Sequence, residues 1–232
     1  MGITIYRLGG MMSDPSALIG NTIKHDIMRV ERTTIESANA ISSATLHEAA
    51  DRTGALPAAI RAVTTGLSIC GPALTVHMPG GDNLWLHKAI YIAQPGDVLV
   101  VYTSRVYDHG YWGEVMSTAA RMRGIGGLVI DGYVRDADKL TGIGLPVFSR
   151  GFCIQGTGKD TDGLGWINAP ILMGQTIVRP GDLVVGDADG VVAIPRDHAA
   201  DVVLRAQERD RDEVDTIARL HEGHSTLEHY QF

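Results

Sequence analysis

GLVIDGYVRD, residues 127–136, decides the fold. Five residues, Gly127 to Asp131, are apolar until the last, which is how a strand buried on both faces reads. Gly132 then frees the backbone, and Arg135 and Asp136 follow side by side. A buried strand that ends in charged residues is a familiar way for an α/β protein to build a site. Working outward, Tyr111 to Arg123 reads as a preceding helix closed by Gly124, and Leu145–Phe148 as the next short strand.

The same grammar repeats on both sides. Pro95–Gly96–Asp97 precedes the apolar run Val98–Val101, and Pro180–Gly181–Asp182 precedes Leu183–Val185. Proline pre-sets each turn and glycine takes the left-handed position. Both strands are therefore expected in one buried sheet system. Residues 67–78 read as one or two strands broken at Gly71–Pro72, and residues 79–82 as a turn able to cap a helix over Asn83–Ala93. Thr45 and Glu48 have capping-box spacing, with Gly54 placed to end that helix. Gly190–Ile194 reads as a strand after a turn, and Asp197–Leu220 as a long helix with one apolar stripe. Residues 150–166 hold five glycines and read as a loop or hairpin region. Nothing resembling a linker divides the chain. The expected organisation is an N-terminal arm over 1–35, beginning with the β-prone segment ITIYRL, one domain over 36–220, and a polar tail over 221–232.

Composition narrows the function. The chain has 232 residues, 28 of them glycine, with 6% aromatics and a net charge of -7 from 20 basic and 27 acidic residues. No basic stripe favours nucleic acid. Cys70 and Cys153 form no CxxC pair, which fits a reducing compartment. No apolar run is long enough to span a membrane, and the N-terminus does not read as a signal peptide, so a cytoplasmic protein is expected. GxxxxGK[ST] and GxSxG are absent, and the glycines at 124–127 precede a strand instead of following one. Nucleotide and serine-esterase chemistry are disfavoured.

Candidate chemistry centres on Arg135 and Asp136. Arginine offers a rigid fork of donors for a carboxylate or a developing enolate oxygen. Aspartate suits a hard divalent cation. The plainer alternative makes Asp136 the cap of a short helix over Ala137–Leu140. Gly113–Glu114 starts a helix, where free N–H groups can bind an anion; an acidic residue there is also simply favourable for the dipole. Asp108, His109 and Glu114 lie close enough in sequence to flank one cleft. Asn83 and His87 share a helix face and could wall a pocket, or be structural. His221, His224 and His229 with Glu222 and Glu228 could grip a surface metal, or form a frayed polar tail.

These residues carry a resemblance. SATLHEAADRTG (43–54), GPALTVHMPGGDN (71–83), PGDVLVV (95–101), YWGE (111–114), GLVIDGYVRD, LPVFSRG (145–151) and RPGDLVVGDADGVVAIP (179–195) resemble the RraA-like superfamily from about Ser42 to Leu220. The closest resemblance is to its class II pyruvate aldolase branch, which includes 4-hydroxy-4-methyl-2-oxoglutarate aldolase, also called 4-carboxy-4-hydroxy-2-oxoadipate aldolase. That branch carries an acidic residue, twenty intervening residues and then Arg-Asp, a count that Glu114, Arg135 and Asp136 meet. It usually has aspartate where this chain has Glu114. The namesake branch binds a ribonuclease and lacks the Arg-Asp pair.

The resemblance implies an α/β fold, layered β/β/α and swivelling-domain-like with mixed sheets. It implies cleavage of a 4-hydroxy-2-oxo di- or tricarboxylic acid to pyruvate and a second oxo acid, with oxaloacetate decarboxylation as an alternative and a non-catalytic protein-binding regulator as another. Asp136 would bind Mg2+ or Mn2+, with Glu114 acting through water. Gly113, Glu114, Val115 and Met116 would receive the 2-oxo acid carboxylate at the helix start, and Arg135 would face the keto oxygen. Asn83 and His87 match pocket positions. Arg29, Arg32, Arg105 and Arg150 are candidate partners for a distal carboxylate, Arg150 near a family position that is sometimes lysine. No Schiff-base lysine is needed, so Lys88, Lys139 and Lys159 read as ordinary. The family also implies homotrimers or homohexamers with sites near subunit interfaces.

Overall fold

A computed structural model describes residues 22–232, so the segment ITIYRL and the rest of the first 21 residues lie outside the described part. The elements in chain order are α1 (Arg32–Ala38), α2 (Ser43–Ala49), β1 (Arg61–Ala62), β2 (Ile69–His77), α3 (Leu84–Ile92), β3 (Val98–Tyr102), α4 (Glu114–Met122), β4 (Gly127–Asp131), α5 (Ala137–Ile143), β5 (Val147–Ser149), β6 (Trp166–Ile167), β7 (Ile171–Met173), β8 (Thr176–Val178), β9 (Leu183–Gly186), β10 (Val191–Ile194), α6 (Arg196–His221) and α7 (Thr226–Tyr230). Among the described residues, no helix is long and apolar enough to cross a membrane.

One mixed sheet runs β1-β5-β4-β3-β2-β9-β10, with β6 also on β2, and β7–β8 form a separate hairpin. β2 through β5 are parallel neighbours. β9 and β10 are antiparallel, and β9 pairs antiparallel with the first half of β2. Both proline–glycine turns thus feed strands of a single sheet, as their repetition suggests. Their aspartates do the same work. Asp97 accepts from the Gln94 N–H, three residues back, and Asp182 from the Arg179 N–H, also three back, both at 2.8 Å. Gly96 and Gly181 sit at φ +89° and +83°, the left-handed region the turn requires.

Gly71–Pro72 does not break β2. Pro72 is the last residue paired to β9 and Ala73 the first paired to β3. The proline therefore falls where the strand passes from one partner to the other, a point at which its missing N–H is tolerated.

The alternation of β-strand side chains makes the layers. Leu74 and Val76, Leu99 and Val101, and Leu128 and Ile130 face α3 and α4, packing with Trp85, Leu86, Ile90 and Met116. Ala73, Val98, Val100 and Val129 face the other way, against Val184, Val191 and Ala193 of the β9–β10 hairpin and Ile171, Met173 and Val178 of β7–β8. The outer face of β9–β10 carries Leu183, Val185, Val192 and Ile194 against α1, α2 and α6. Strand on strand, with helices covering both outsides, is the layered α/β arrangement expected from the resemblance.

Three local differences have clear causes. Ser42, not Thr45, caps α2: its side chain accepts the Thr45 N–H, and Glu48 instead pairs with Arg52. The segment before α1 is strapped onto the body. Arg29 forks onto buried Asp97 at 2.7 and 2.8 Å, and the Val30 N–H donates to the Gly181 carbonyl. The polar tail is helical at its end: Ser225 and Glu228 close a capping box at α7, and His229 Nε2 lies 3.0 Å from the Thr216 hydroxyl.

Candidate functional site

The exit of β4 is held between two irregular segments. The Tyr111 N–H donates to the Tyr133 carbonyl and the Arg135 N–H to the Trp112 carbonyl. On the opposite side, the Val134 N–H donates to Gly151 and the Cys153 N–H to Val134. Gly110 lets the strips close up, because a Cβ there would strike the Cys153 carbonyl. The pair Arg135–Asp136 therefore leaves a fixed strand end, not a free loop.

Asp136 stands before α5, at the position a cap would occupy, but its side chain makes no capping bond there. Its backbone is left-handed, φ +63°, which costs a non-glycine residue about 1 kcal/mol or more. That conformation turns the carboxylate across the cleft, where Oδ2 accepts the Glu114 N–H at 2.9 Å. An acidic group at the start of α4 is favoured by the helix dipole and satisfies an orphan donor. Gly113 makes room: its backbone is extended, and an added Cβ would collide with Asp136 Oδ2. The Arg135 guanidinium lies 3.9 Å from the same carboxylate.

A cleft of about 260 Å³ opens here, lined by Asn83, His87, Gly110, Tyr111, Trp112, Gly113, Val115, Met116, Arg135, Asp136 and Lys159. Of the catalytic and binding residues that the resemblance implies, Asn83, His87, Gly113, Val115, Met116, Arg135 and Asp136 lie on this cleft; Glu114 does not, its backbone N–H anchoring Asp136 while its side chain is exposed. Among the described residues, the N–H groups of Val115 and Met116 have no protein acceptor. Such free donors at a helix start are the kind of group that can bind an anion. Tyr111 and Trp112 form a rigid floor. The Tyr111 hydroxyl donates to the Val106 carbonyl at 2.6 Å and accepts the Gly81 N–H at 2.8 Å, and Trp112 Nε1 donates to Ser117 at 2.6 Å.

The second wall comes from α3. Asp82 caps it through Oδ1, which accepts the Leu84 N–H, so the neighbouring Asn83 side chain is free to turn inward. Asn83 Nδ2 donates to the Tyr111 carbonyl at 2.9 Å, while its buried Oδ1 has no partner. A buried acceptor left in this state calls for a donor from water or ligand. Burial, and then nearby Lys159, hold the His87 imidazole below its ordinary pKa, with Asp82 opposing them. His87 is thus neutral near pH 7 and able to accept or donate one hydrogen bond.

Other candidates go elsewhere. Arg150 is bound to Asp131 at 2.6 Å and lies over the Tyr107 ring. Arg29 is taken by Asp97 and Arg32 by Glu36. His109 contacts Gln155 and the Tyr111 ring but, like Asp108, is not itself in the cleft lining. Gly110, Tyr111, Trp112 and Lys159 were not expected in the lining. The two aromatics immediately before Gly113 were a usable signal. Lys159 had none, since a loop brings it to α3 from far along the chain.

The donor set at Asp136 suits a hard cation that keeps most of its water. It offers one carboxylate, and Mg2+ is commonly held by one or two carboxylates together with water and substrate oxygens. Among the described residues, no three of His, Cys, Asp and Glu gather as a closed zinc cage would need, the C-terminal histidines included.

Fold and cleft together define a layered α/β protein with unpaired N–H groups at a helix start beside an Arg-Asp pair. A family model described as RraA-like, Aldolase/RraA, matches residues 40–193, and the chain belongs to that family. A Halalkalibacterium halodurans protein, provisionally named a 4-hydroxy-4-methyl-2-oxoglutarate aldolase, is 36% identical over 173 residues, covering 75% of this chain and 81% of that one. A solved structure of an uncharacterised Pseudomonas syringae protein superimposes with a TM-score of 0.77 at 30% identity, over 89% of this chain and 96% of that one. Streptomyces coelicolor RraAS2, described as an unusual member of the RNase ES inhibitor RraA family, gives a TM-score of 0.70 at 29% identity, over 84% of this chain and 99% of that one.

Proposed function

We propose that the protein is a divalent-metal-dependent lyase that cleaves a 4-hydroxy-2-oxo di- or tricarboxylic acid to pyruvate and a second oxo acid. The observation that carries this reading is Asp136, held in a left-handed backbone conformation so that its carboxylate meets the α4 start beside the Arg135 guanidinium. The relationship to the Halalkalibacterium protein supports the substrate class.

Asp136 would hold Mg2+ or Mn2+, which when bound stabilises negative charge on the oxygens of a 2-oxo acid. The Val115 and Met116 N–H groups receive the substrate carboxylate. Arg135 donates to the keto oxygen and gains strength as charge develops there. Glu114, at the cleft edge, takes the C4 hydroxyl proton directly or through a water. As that hydroxyl becomes a carbonyl, the C3–C4 bond breaks and its electron pair passes into the pyruvate enolate. A proton delivered to C3 then gives pyruvate. The same enolate would follow loss of CO2 from oxaloacetate, so decarboxylation is the expected side activity. Family membership also supports a homo-oligomer, homotrimer or homohexamer, with the cleft near a subunit interface.

The test is pyruvate release from a panel of 4-hydroxy-2-oxo acids and oxaloacetate, with EDTA and Mg2+ or Mn2+ add-back. Turnover abolished by EDTA and restored by metal is the expected result. Faster release from oxaloacetate than from every hydroxy acid would make the protein chiefly a decarboxylase. No turnover on any of them would favour a regulator, in line with the description of the Streptomyces relative.

A further inference from the structure

Arg150 is not in the cleft lining, yet it grips the chain just ahead of the Arg135–Asp136 pair. Its side chain and its main chain hold consecutive residues. Nε donates to Asp131 Oδ1 at 2.6 Å, and the Arg150 N–H donates to the Gly132 carbonyl at 2.9 Å. The guanidinium carbon lies 4.1 Å from the centre of the Tyr107 ring. One arginine thus joins the exit of β4, the strip that follows β5, and the loop between β3 and α4. Asp131 is buried, and the Thr103 hydroxyl donates to its carbonyl at 2.6 Å. Gly132 has little room to move: a Cβ there would meet Thr103 at 2.9 Å and the Tyr111 ring at 3.1 Å.

We infer that Arg150 is a positioning residue for the cleft chemistry: bound to Asp131 and stacked on Tyr107, it sets where Arg135 and Asp136 emerge relative to the start of α4. The inference rests on the lyase reading of that cleft. The path from Arg150 to the pair is short. The Val134 N–H donates to Gly151, the residue after Arg150, and the Arg135 N–H donates to Trp112, on the same loop as Tyr107. Both strips that flank the β4 exit are therefore tied through Arg150. Asp136 has to reach the Glu114 N–H across the resulting gap, and a misplacement of about 1 Å at a reacting centre costs about 100-fold in rate. The residue type matters. A planar guanidinium donates from its edge to a carboxylate while its face lies on a ring, whereas a lysine ammonium supplies the charge without the flat face.

The tests separate positioning from plain support of the fold. Arg150→Met leaves a buried carboxylate without its cation, which costs stability by itself. The double variant Asp131→Asn with Arg150→Met removes that charge, and Tyr107→Leu removes the ring while leaving the ion pair. In pyruvate release with saturating Mg2+, well below each melting temperature, the single Arg150→Met and the double variant should lose about 10- to 100-fold in kcat with KM within about threefold of wild type. Tyr107→Leu should show a smaller loss in the same direction. Arg150→Lys should regain the stability lost in Arg150→Met but only part of the kcat. Hydrogen exchange read by mass spectrometry should speed up over residues 132–136 in the double variant, with β2 and β3 unchanged. Wild-type kcat in the double variant, or unaltered exchange at 132–136, overturns the assignment and leaves the lyase reading standing. A wild-type protein that releases no pyruvate from any acid removes both.

Discussion

At the scale of single residues, the site depends on a strained aspartate and on the absence of a side chain opposite it. Asparagine tolerates the left-handed conformation almost as well as aspartate and can still accept the Glu114 N–H. Asp136→Asn should therefore melt within a few degrees of wild type while turnover falls at least about 100-fold, because the charge is gone. Thermal unfolding beside a pyruvate-release assay checks both halves. Gly113→Ala meets the Asp136 carboxylate and, less closely, the Arg135 stem, both side chains that can shift, so the fold should survive with a modest loss in Tm. The displaced carboxylate should again cost about 100-fold in rate. Equal activity in this variant would mean that the Gly113–Asp136 contact is packing alone. Arg135, Asp136 and Gly113 were legible in the sequence as residue types suited to the chemistry. Nothing in the sequence said that Asp136 would spurn the short helix it precedes and turn toward α4, because that choice depends on a backbone angle set by segments on both sides.

At the scale of elements, the two proline–glycine–aspartate turns are joints. Asp97 is buried under the segment that precedes α1, and Arg29 neutralises it with two hydrogen bonds. Arg29→Met should cost about 2 kcal/mol, since it leaves a buried carboxylate without its cation; denaturant titration reads this directly. The helix α1 also covers Cys70. Burial pushes that thiol up to about 11, and it donates to the Ile35 carbonyl. Cys70 should stay unlabelled by iodoacetamide at pH 8 until the protein unfolds, and peptide mapping would show it. On α3, the depressed imidazole of His87 gives stability a pH slope. The unfolded chain binds a proton near pH 6.5 and the folded chain only at lower pH, so this contribution is present above about pH 6.5 and lost as pH falls through the folded value. His87→Gln should flatten that part of the acid limb. The type and order of α2, of β2 through β5 and of β9 through α6 were readable from periodicity and punctuation, whereas α1, β1, β6, the β7–β8 hairpin and α7 were not, being short or weakly patterned. Caps were not: Thr45 has capping-box spacing, yet Ser42 takes the role, because the chain's entry angle selects among neighbouring hydroxyls.

At the scale of the whole molecule, β2 decides how the layers meet. It pairs with β9 in its first half and β3 in its second, so one strand joins the parallel sheet to the antiparallel hairpin. At Gly71 a Cβ would strike the Gly96 carbonyl, which is backbone and cannot swing aside. Gly71→Ala should thus destabilise the protein by about 1–3 kcal/mol. The loss should appear equally by circular dichroism and by tryptophan fluorescence if the two sheet halves unfold together.

The sequence by itself determined the alternation of helix and buried strand, the two matching turns, and the presence of an anion-seeking helix start beside an Arg-Asp pair. These follow from local rules: side-chain period, turn chemistry and donor type. Only the tertiary structure decided which of the many basic residues face the cleft. Arg29, Arg32 and Arg150 were plausible and are bound elsewhere, whereas Lys159, a lysine in a glycine-rich loop, lines the wall. Such placement comes from contacts between residues far apart in the chain, Asp82 to Asp160 and Gly81 to Gly158, which no local pattern encodes.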